Sequence, residues 1–186
     1  TANGTSADRI NFNITAALVG GAHTIAPTTA LPSVTDAVVI DASTEPDYAS
    51  NSNRPVVVLA GSNQGLGADG LVLSATADGS TIRGLLIRDW GGDGIEIQAN
   101  STSNTIAGNY IGRLTTTGTD SGAGTENAGA GIRVYGSSNT IGGTVAADRN
   151  VISGNGGSGV FLPQSADNTI EGNFIGTLAG GSFPAP

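Results

Sequence analysis

The apolar positions of this chain fall in short alternating runs that return at a fixed interval. A Gly-apolar-x-apolar tetrad occurs as Gly70-Leu71-Val72-Leu73, Gly94-Ile95-Glu96-Ile97, Gly131-Ile132-Arg133-Val134 and Gly159-Val160-Phe161-Leu162. A second marker, Asn-Thr-Ile-x-Gly, occupies residues 104–108, 139–143 and 168–172, with the looser copy Ser80-Thr81-Ile82-Arg83-Gly84 ahead of them. From Gly70 to Gly94 and from Ile82 to Ile106 the step is 24 residues. Two unrelated markers on one period define a repeated unit, and the repeat sets the architecture.

Within one repeat, Ile95 and Ile97 face one way and Glu96 the other, the period of a half-buried strand. Ile106 and Ile111 are an odd number of residues apart, so one straight strand cannot bury both. The intervening Gly108-Asn109 is turn chemistry, and the chain must bend there. The same broken spacing recurs as Ile82…Ile87 and Ile170…Ile175. Each period therefore predicts three short strands separated by corners. No stretch holds a 3.6-residue apolar pattern, so no substantial helix is expected. The expected fold is all-β, a single-stranded coil of parallel strands (a β-helix or solenoid) with three strands per rung. One rung cannot bury its own apolar face; its neighbours bury it. Rungs about 4.8 Å apart would stack identical residues into ladders. Ile82, Ile106, Ile141 and Ile170 should form one interior file. Asn104, Asn139 and Asn168 should bond from rung to rung and satisfy buried turn groups.

The longer steps have visible causes. Residues 113–127, rich in Thr, Gly and Ser, read as a loop excursion, and residues 142–149 as a smaller one. Insertions into repeats usually land on one face, often a binding face. Residues 8–75 read as irregular rungs and residues 76–178 as regular ones, all within a single domain over 1–186. In the irregular part Ile10, Phe12 and Ile14 alternate, residues 56–59 are an apolar run, and residues 41–53 are a long loop.

Composition narrows the function classes. The chain has 30 Gly and is 4% aromatic, which suits many tight turns. Its seven basic residues are all Arg and the net charge is −8, leaving no basic face for nucleic acid and no polybasic membrane patch. No apolar run approaches the roughly 18 residues of a membrane span, so no membrane insertion is expected. The absence of Cys excludes disulfides, thiolate metal sites and a thiol nucleophile. The single His, His23, reads as structural or surface, because metal and acid-base roles need partners nearby.

The strings ADRINFNI, STIRGLLIRDWGGDGIEI, NTIAGNYIG and NTIGG…RNVISGNGGSGVFL resemble large secreted bacterial right-handed parallel β-helix proteins of the pectate-lyase-like superfamily. The resemblance runs over about residues 8–177 and implies a right-handed coil and a secreted or cell-surface location. Such proteins often carry Ile-Gly-Thr-Asp before a loop. Here Ile111-Gly112-Arg113-Leu114 and Ile175-Gly176-Thr177-Leu178 lack that Asp, so no cation role carries over to it.

Relatives in the superfamily include polysaccharide lyases and hydrolases. A lyase needs acidic residues holding Ca²⁺ plus a basic residue, and a hydrolase needs carboxylates on neighbouring rungs. The segment Arg88-Asp89-Trp90-Gly91-Gly92-Asp93 supplies the candidates: Asp89, Asp93 and Arg88 for catalysis, and Trp90 for stacking on a sugar. Asp69 and Asp93, one period apart, are the metal candidates and would take Ca²⁺. A plainer reading stands beside this one. Asp-Gly before a strand is turn chemistry, later repeats place Ala130 and Ser158 at that position, and a lone Trp at a corner is simple cover. Glu96 and Arg133 occupy equivalent outward positions and should pair across the ladder, while Arg83 and Glu171 share another outward column. The sequons at Asn3, Asn13 and Asn100 match a glycosylation pattern by chance.

An open rung at each end is a template for pairing. With no cap evident at Thr1-Ala2-Asn3 or before Pro186, the chain is expected to be a piece of a longer protein or to stack end to end into a fibre. The expected function is a non-enzymatic extracellular structural solenoid that self-associates through its terminal rungs. The alternative is a carbohydrate-active or carbohydrate-binding β-helix with a polysaccharide partner. A third reading is an adhesin-like stalk that binds surface glycans.

Overall fold

A computed structural model describes residues 6–181 of the chain. The Asn3 sequon and both chain ends lie outside these residues. Ile, Val and Leu at alternate positions suit a pleated surface with one face buried, and Gly, Asn or Asp at the breaks ends each run. The described residues form 16 strands, each of two to four residues. The first eight are β1 (Asp8–Asn11), β2 (His23–Ile25), β3 (Val38–Asp41), β4 (Val57–Ala60), β5 (Leu71–Leu73), β6 (Thr81–Arg83), β7 (Leu85–Arg88) and β8 (Ile95–Ile97). There follow β9 (Thr105–Ala107), β10 (Tyr110–Gly112), β11 (Ile132–Val134), β12 (Thr140–Gly142), β13 (Val151–Ser153), β14 (Val160–Phe161), β15 (Thr169–Glu171) and β16 (Phe174–Ile175).

These strands make three parallel sheets. The first runs β1-β3-β6-β9-β12-β15, the second β2-β4-β7-β10-β13-β16, and the third β5-β8-β11-β14. The chain visits the sheets in turn, so β6, β7 and β8 make one circuit and β9, β10 and β11 the next. Register places Ile10, Ile40, Ile82, Ile106, Ile141 and Ile170 in a single file along the first sheet. Ile82, Ile106 and Ile141 are fully buried, while Ile10 and Ile170 on the edge strands are exposed. All three sheets turn their inner faces to a common core that includes Ile40, Ile87, Ile95, Ile106, Ile111 and Ile132.

Among the described residues helix is confined to α1 (Pro46–Ser50) and two 3-10 turns, Ala42–Thr44 and Ala146–Asp148. Residues 41–53, expected as a loop, contain α1 and the first of these turns. Asp41 caps the 3-10 turn by accepting the Ser43 N–H at 3.1 Å, and Pro46 stands in the first turn of α1, where its missing N–H is harmless.

The second sheet is buried on both faces, which explains why β4 is apolar at all four positions. Val57, Leu59, Leu85 and Ile87 face the common core. Val58, Ala60, Leu86, Tyr110, Leu114 and Val151 form a separate cluster on the outer side. Its cover comes from the excursion at residues 113–127, which carries Leu114 back onto the sheet. Arg113 Nε pairs with Asp120 Oδ1 at 2.8 Å to close that segment on itself. Asn51 Nδ2 then donates to the Thr116 carbonyl at 3.0 Å and Arg54 to the Thr117 carbonyl at 3.4 Å. The smaller excursion is tied down too, since Arg83 donates to Asp148 Oδ1 at 2.9 Å. Both insertions close over the body of the molecule.

Candidate functional site

The corners carry most of the buried polar chemistry. At the corner before the first sheet, each side-chain oxygen accepts the backbone N–H of its counterpart one circuit earlier. Ser80 N–H donates to Asn104 Oδ1 at 2.9 Å, Asn104 N–H to Asn139 Oδ1 at 2.9 Å, and Asn139 N–H to Asn168 Oδ1 at 2.8 Å. Asn104 Nδ2 also donates to Asn139 Oδ1 at 2.9 Å. The residue before each column member adopts left-handed backbone: Gly79 at φ 74°, Ser103 at 58°, Ser138 at 58° and Asp167 at 56°.

Two further columns escaped sequence reasoning. Asn109, Asn150 and Asn173 line the corner between the first and second sheets, with Asn109 N–H to Asn150 Oδ1 at 2.9 Å and Asn150 N–H to Asn173 Oδ1 at 3.2 Å. Their Nδ2 groups donate to the carbonyls of Ile82 at 2.9 Å, Ile106 at 2.7 Å and Ile141 at 2.8 Å. At the third corner Asn127 Oδ1 accepts the Trp90 N–H at 3.2 Å and its Nδ2 donates to Asn155 Oδ1 at 2.9 Å. A signal for the second column exists: Asn109, Asn150 and Asn173 each stand two residues before Ile111, Ile152 and Ile175.

The acidic candidates separate into two places. Asp69 Oδ1 accepts the Asp93 N–H at 2.6 Å, and Asp93 Oδ1 accepts the Ala130 N–H at 2.5 Å, so both cap the circuit that follows. Burial pushes the Asp69 carboxyl above its ordinary range, partly offset by that hydrogen bond. Arg133 donates Nη2 to Asp93 Oδ1 at 3.1 Å and Nε to Asp93 Oδ2, and its guanidinium lies over the Phe161 ring at 5.1 Å. This corrects the expected Glu96–Arg133 pair. The two do face each other in register, but Asp93 is buried and engages the guanidinium through both oxygens, whereas Glu96 accepts from Gln98 at 3.2 Å. Asp69, Asp93 and Glu96 bring carboxylate oxygens within 4.8 Å of one another. Arg133 already occupies both oxygens of Asp93, and Ca²⁺ would need six or more oxygens there.

Asp89 lies elsewhere, on an open cleft of about 520 Å³ lined also by Ser62, Gln64, Gly91 and Glu126, while Arg88, the last residue of β7, stands outside that lining. Asp93 does not line the cleft either. Asp89 is held at φ 65° at a corner, a conformation that Asp tolerates better than most residues. Burial pushes its carboxyl up, Arg88 draws it down, and Glu126 adds to the rise. Arg88 Nε lies 3.6 Å from Asp89 Oδ2. Trp90 is only 1% exposed and cannot offer a face to a sugar. Its indole Nε1 donates to the Leu59 carbonyl at 3.3 Å, and a Cβ on Gly70 would come within 3.1 Å of that nitrogen. Trp90 is core, admitted there because glycines stand beside it.

His23 has the neighbours that sequence reasoning did not give it. The ring is buried on β2, with Nε2 at 3.2 Å from Asp47 Oδ2 and 3.8 Å from Glu45 Oε1. His23 and Asp47 are 24 residues apart, one period, yet the irregular early segments conceal the repeat.

No family model matches the chain, and neither a curated protein nor a solved structure matches it. Among the described residues no helix is long and apolar enough to cross a membrane.

Proposed function

We propose that the chain is a non-enzymatic structural module, a right-handed parallel β-helix of the pectate-lyase-like kind with three strands per rung, secreted or displayed at a cell surface. In this reading, copies join through their terminal rungs. The supporting observation is the interior isoleucine file, which continues to both edges and, among the described residues, ends on strands paired on one side only, β1 at one edge and β15 at the other. Ile10 is exposed at one edge; Ile170 and Ile175, at 39% and 45% exposed, stand at the other. An edge strand with exposed apolar residues is a template for pairing, and a head-to-tail contact that does not close makes a fibre. Light scattering across a concentration series tests this. Mass should rise with concentration and stay monomeric in the Ile170→Lys, Ile175→Lys double variant. A monodisperse parent at high concentration would overturn the reading.

The cleft at Asp89 favours a second reading, a carbohydrate-active β-helix. A carboxyl that burial pushes above its ordinary range, with Glu126 lining the same cleft, is the kind of group a general acid at a glycosidic oxygen requires. Turnover of acidic polysaccharide that disappears in Asp89→Asn would favour this reading over the structural one.

A further inference from the structure

We infer that His23, Glu45 and Asp47 form a binding site for a small divalent transition-metal ion of the zinc type. The ligand atoms are one imidazole nitrogen and two carboxylate oxygens, all within 4.8 Å of one another. His23 Nε2 lies 3.2 Å from Asp47 Oδ2 and 3.8 Å from Glu45 Oε1. Ligands about 2.0–2.2 Å from a tetrahedral ion sit roughly 3.3 Å from one another, so small side-chain rotations would bring all three into the first shell. Nitrogen with two oxygens suits Zn²⁺, and three side chains are too few for Ca²⁺, which takes six to eight oxygens.

The surroundings fix the donors before any ion arrives. The His23 backbone N–H donates to the Val56 carbonyl at 2.8 Å, which anchors the β2 side of the site. Glu45 is 2% exposed. Its Oε2 accepts the Ile14 N–H at 2.8 Å, which aims Oε1 at the imidazole, beyond hydrogen-bond reach of Nε2. A buried carboxylate oxygen pointed at a ring nitrogen but not bonded to it is placed for a shared cation. Among the described residues the only basic side chain within 4 Å of Glu45 or Asp47 is His23, so two carboxylates face one imidazole. Burying a carboxylate as deeply as Glu45 without compensation is unfavourable, and a divalent ion supplies the compensation. Access exists from two sides. The Asp47 side chain is 41% exposed, and His23 lines a surface hollow of about 370 Å³ with Ile14, Ala22 and Thr24. With three protein ligands, a fourth position stays open to water.

The chain's single His makes the test direct. In ¹H–¹⁵N spectra of untagged protein there is one imidazole to follow during titration with zinc chloride. The ring nitrogens should move to saturation at one equivalent, and the thermal midpoint should rise with free zinc. Asp47→Asn and Glu45→Gln should each weaken binding at least about tenfold, the loss that even outer-shell changes cause. Asp47 is half-exposed, so its variant tests the site if Glu45→Gln fails to fold. Ring signals unmoved by millimolar zinc, or Asp47→Asn binding zinc as tightly as the parent, would overturn the inference.

Discussion

At the scale of single residues, the buried amides decide more than any charge. The Ile106 carbonyl sits at a corner and takes its hydrogen bond from Asn150 Nδ2, while Asn150 Oδ1 accepts the Asn109 N–H. Truncating Asn150 strands two buried polar groups, each costing about 1–3 kcal/mol. Asn150→Ala should therefore lose about 3 kcal/mol in urea unfolding. Asn168→Ala, in the last circuit and half-buried, should lose about 1 kcal/mol. Asp89 gives a prediction of a different kind. Its folded carboxyl holds a proton above the ordinary value of 3.8. Through the interval above that value, folding takes up a proton, so this residue lowers stability as pH rises. Asp120 and Glu126, whose carboxyls are drawn down by hydrogen bonds, act in the opposite sense and lose stability as pH falls. Asp89→Asn should match the parent near about pH 3 and melt higher than it near about pH 7. Asn tolerates the left-handed backbone at that corner, so the comparison isolates the charge.

Among the elements, position along the stack sets the worth of an identical side chain. Ile106 and Ile170 hold equivalent places in the first sheet, yet one is sealed between β6 and β12 and the other stands on an edge. Ile106→Ala should cost about 3–4 kcal/mol and Ile170→Ala about 1 kcal/mol, read from chemical denaturation of each. The strands themselves were legible because each obeys a local rule. Alternation marks β8 and β11, and the broken odd spacing of Ile82 and Ile87 is the corner between β6 and β7. The cover over the second sheet was not legible. Leu114 is one apolar residue in a Thr-rich excursion, and its partners Val58 and Leu86 lie far back in the sequence. Trp90 failed for the same reason: its burial depends on glycines at positions 61 and 70, which read locally as turn residues. The trio around His23 is also non-local, joining β2 to α1 through a segment with no marker of the repeat.

For the molecule as a whole, the hydrogen bonds that skip a circuit matter most. Residue Asn51 belongs to the circuit of β3, β4 and β5, and it reaches Thr116 in the circuit of β9, β10 and β11. Arg83 on β6 reaches Asp148, beside β12 and β13, in the same manner. In a stack held only by adjacent units, stability is a sum of neighbour terms and the ends can peel away first. These two ties overlap, so every inner unit is linked to its second neighbour as well. Removing both, in Asn51→Ala and Arg54→Ala with Arg83→Ala, should broaden the denaturant transition and lower its apparent m-value, because the ends would then melt ahead of the middle. The intact chain should behave as one cooperative block, with amide exchange from the inner strands governed by a single global opening.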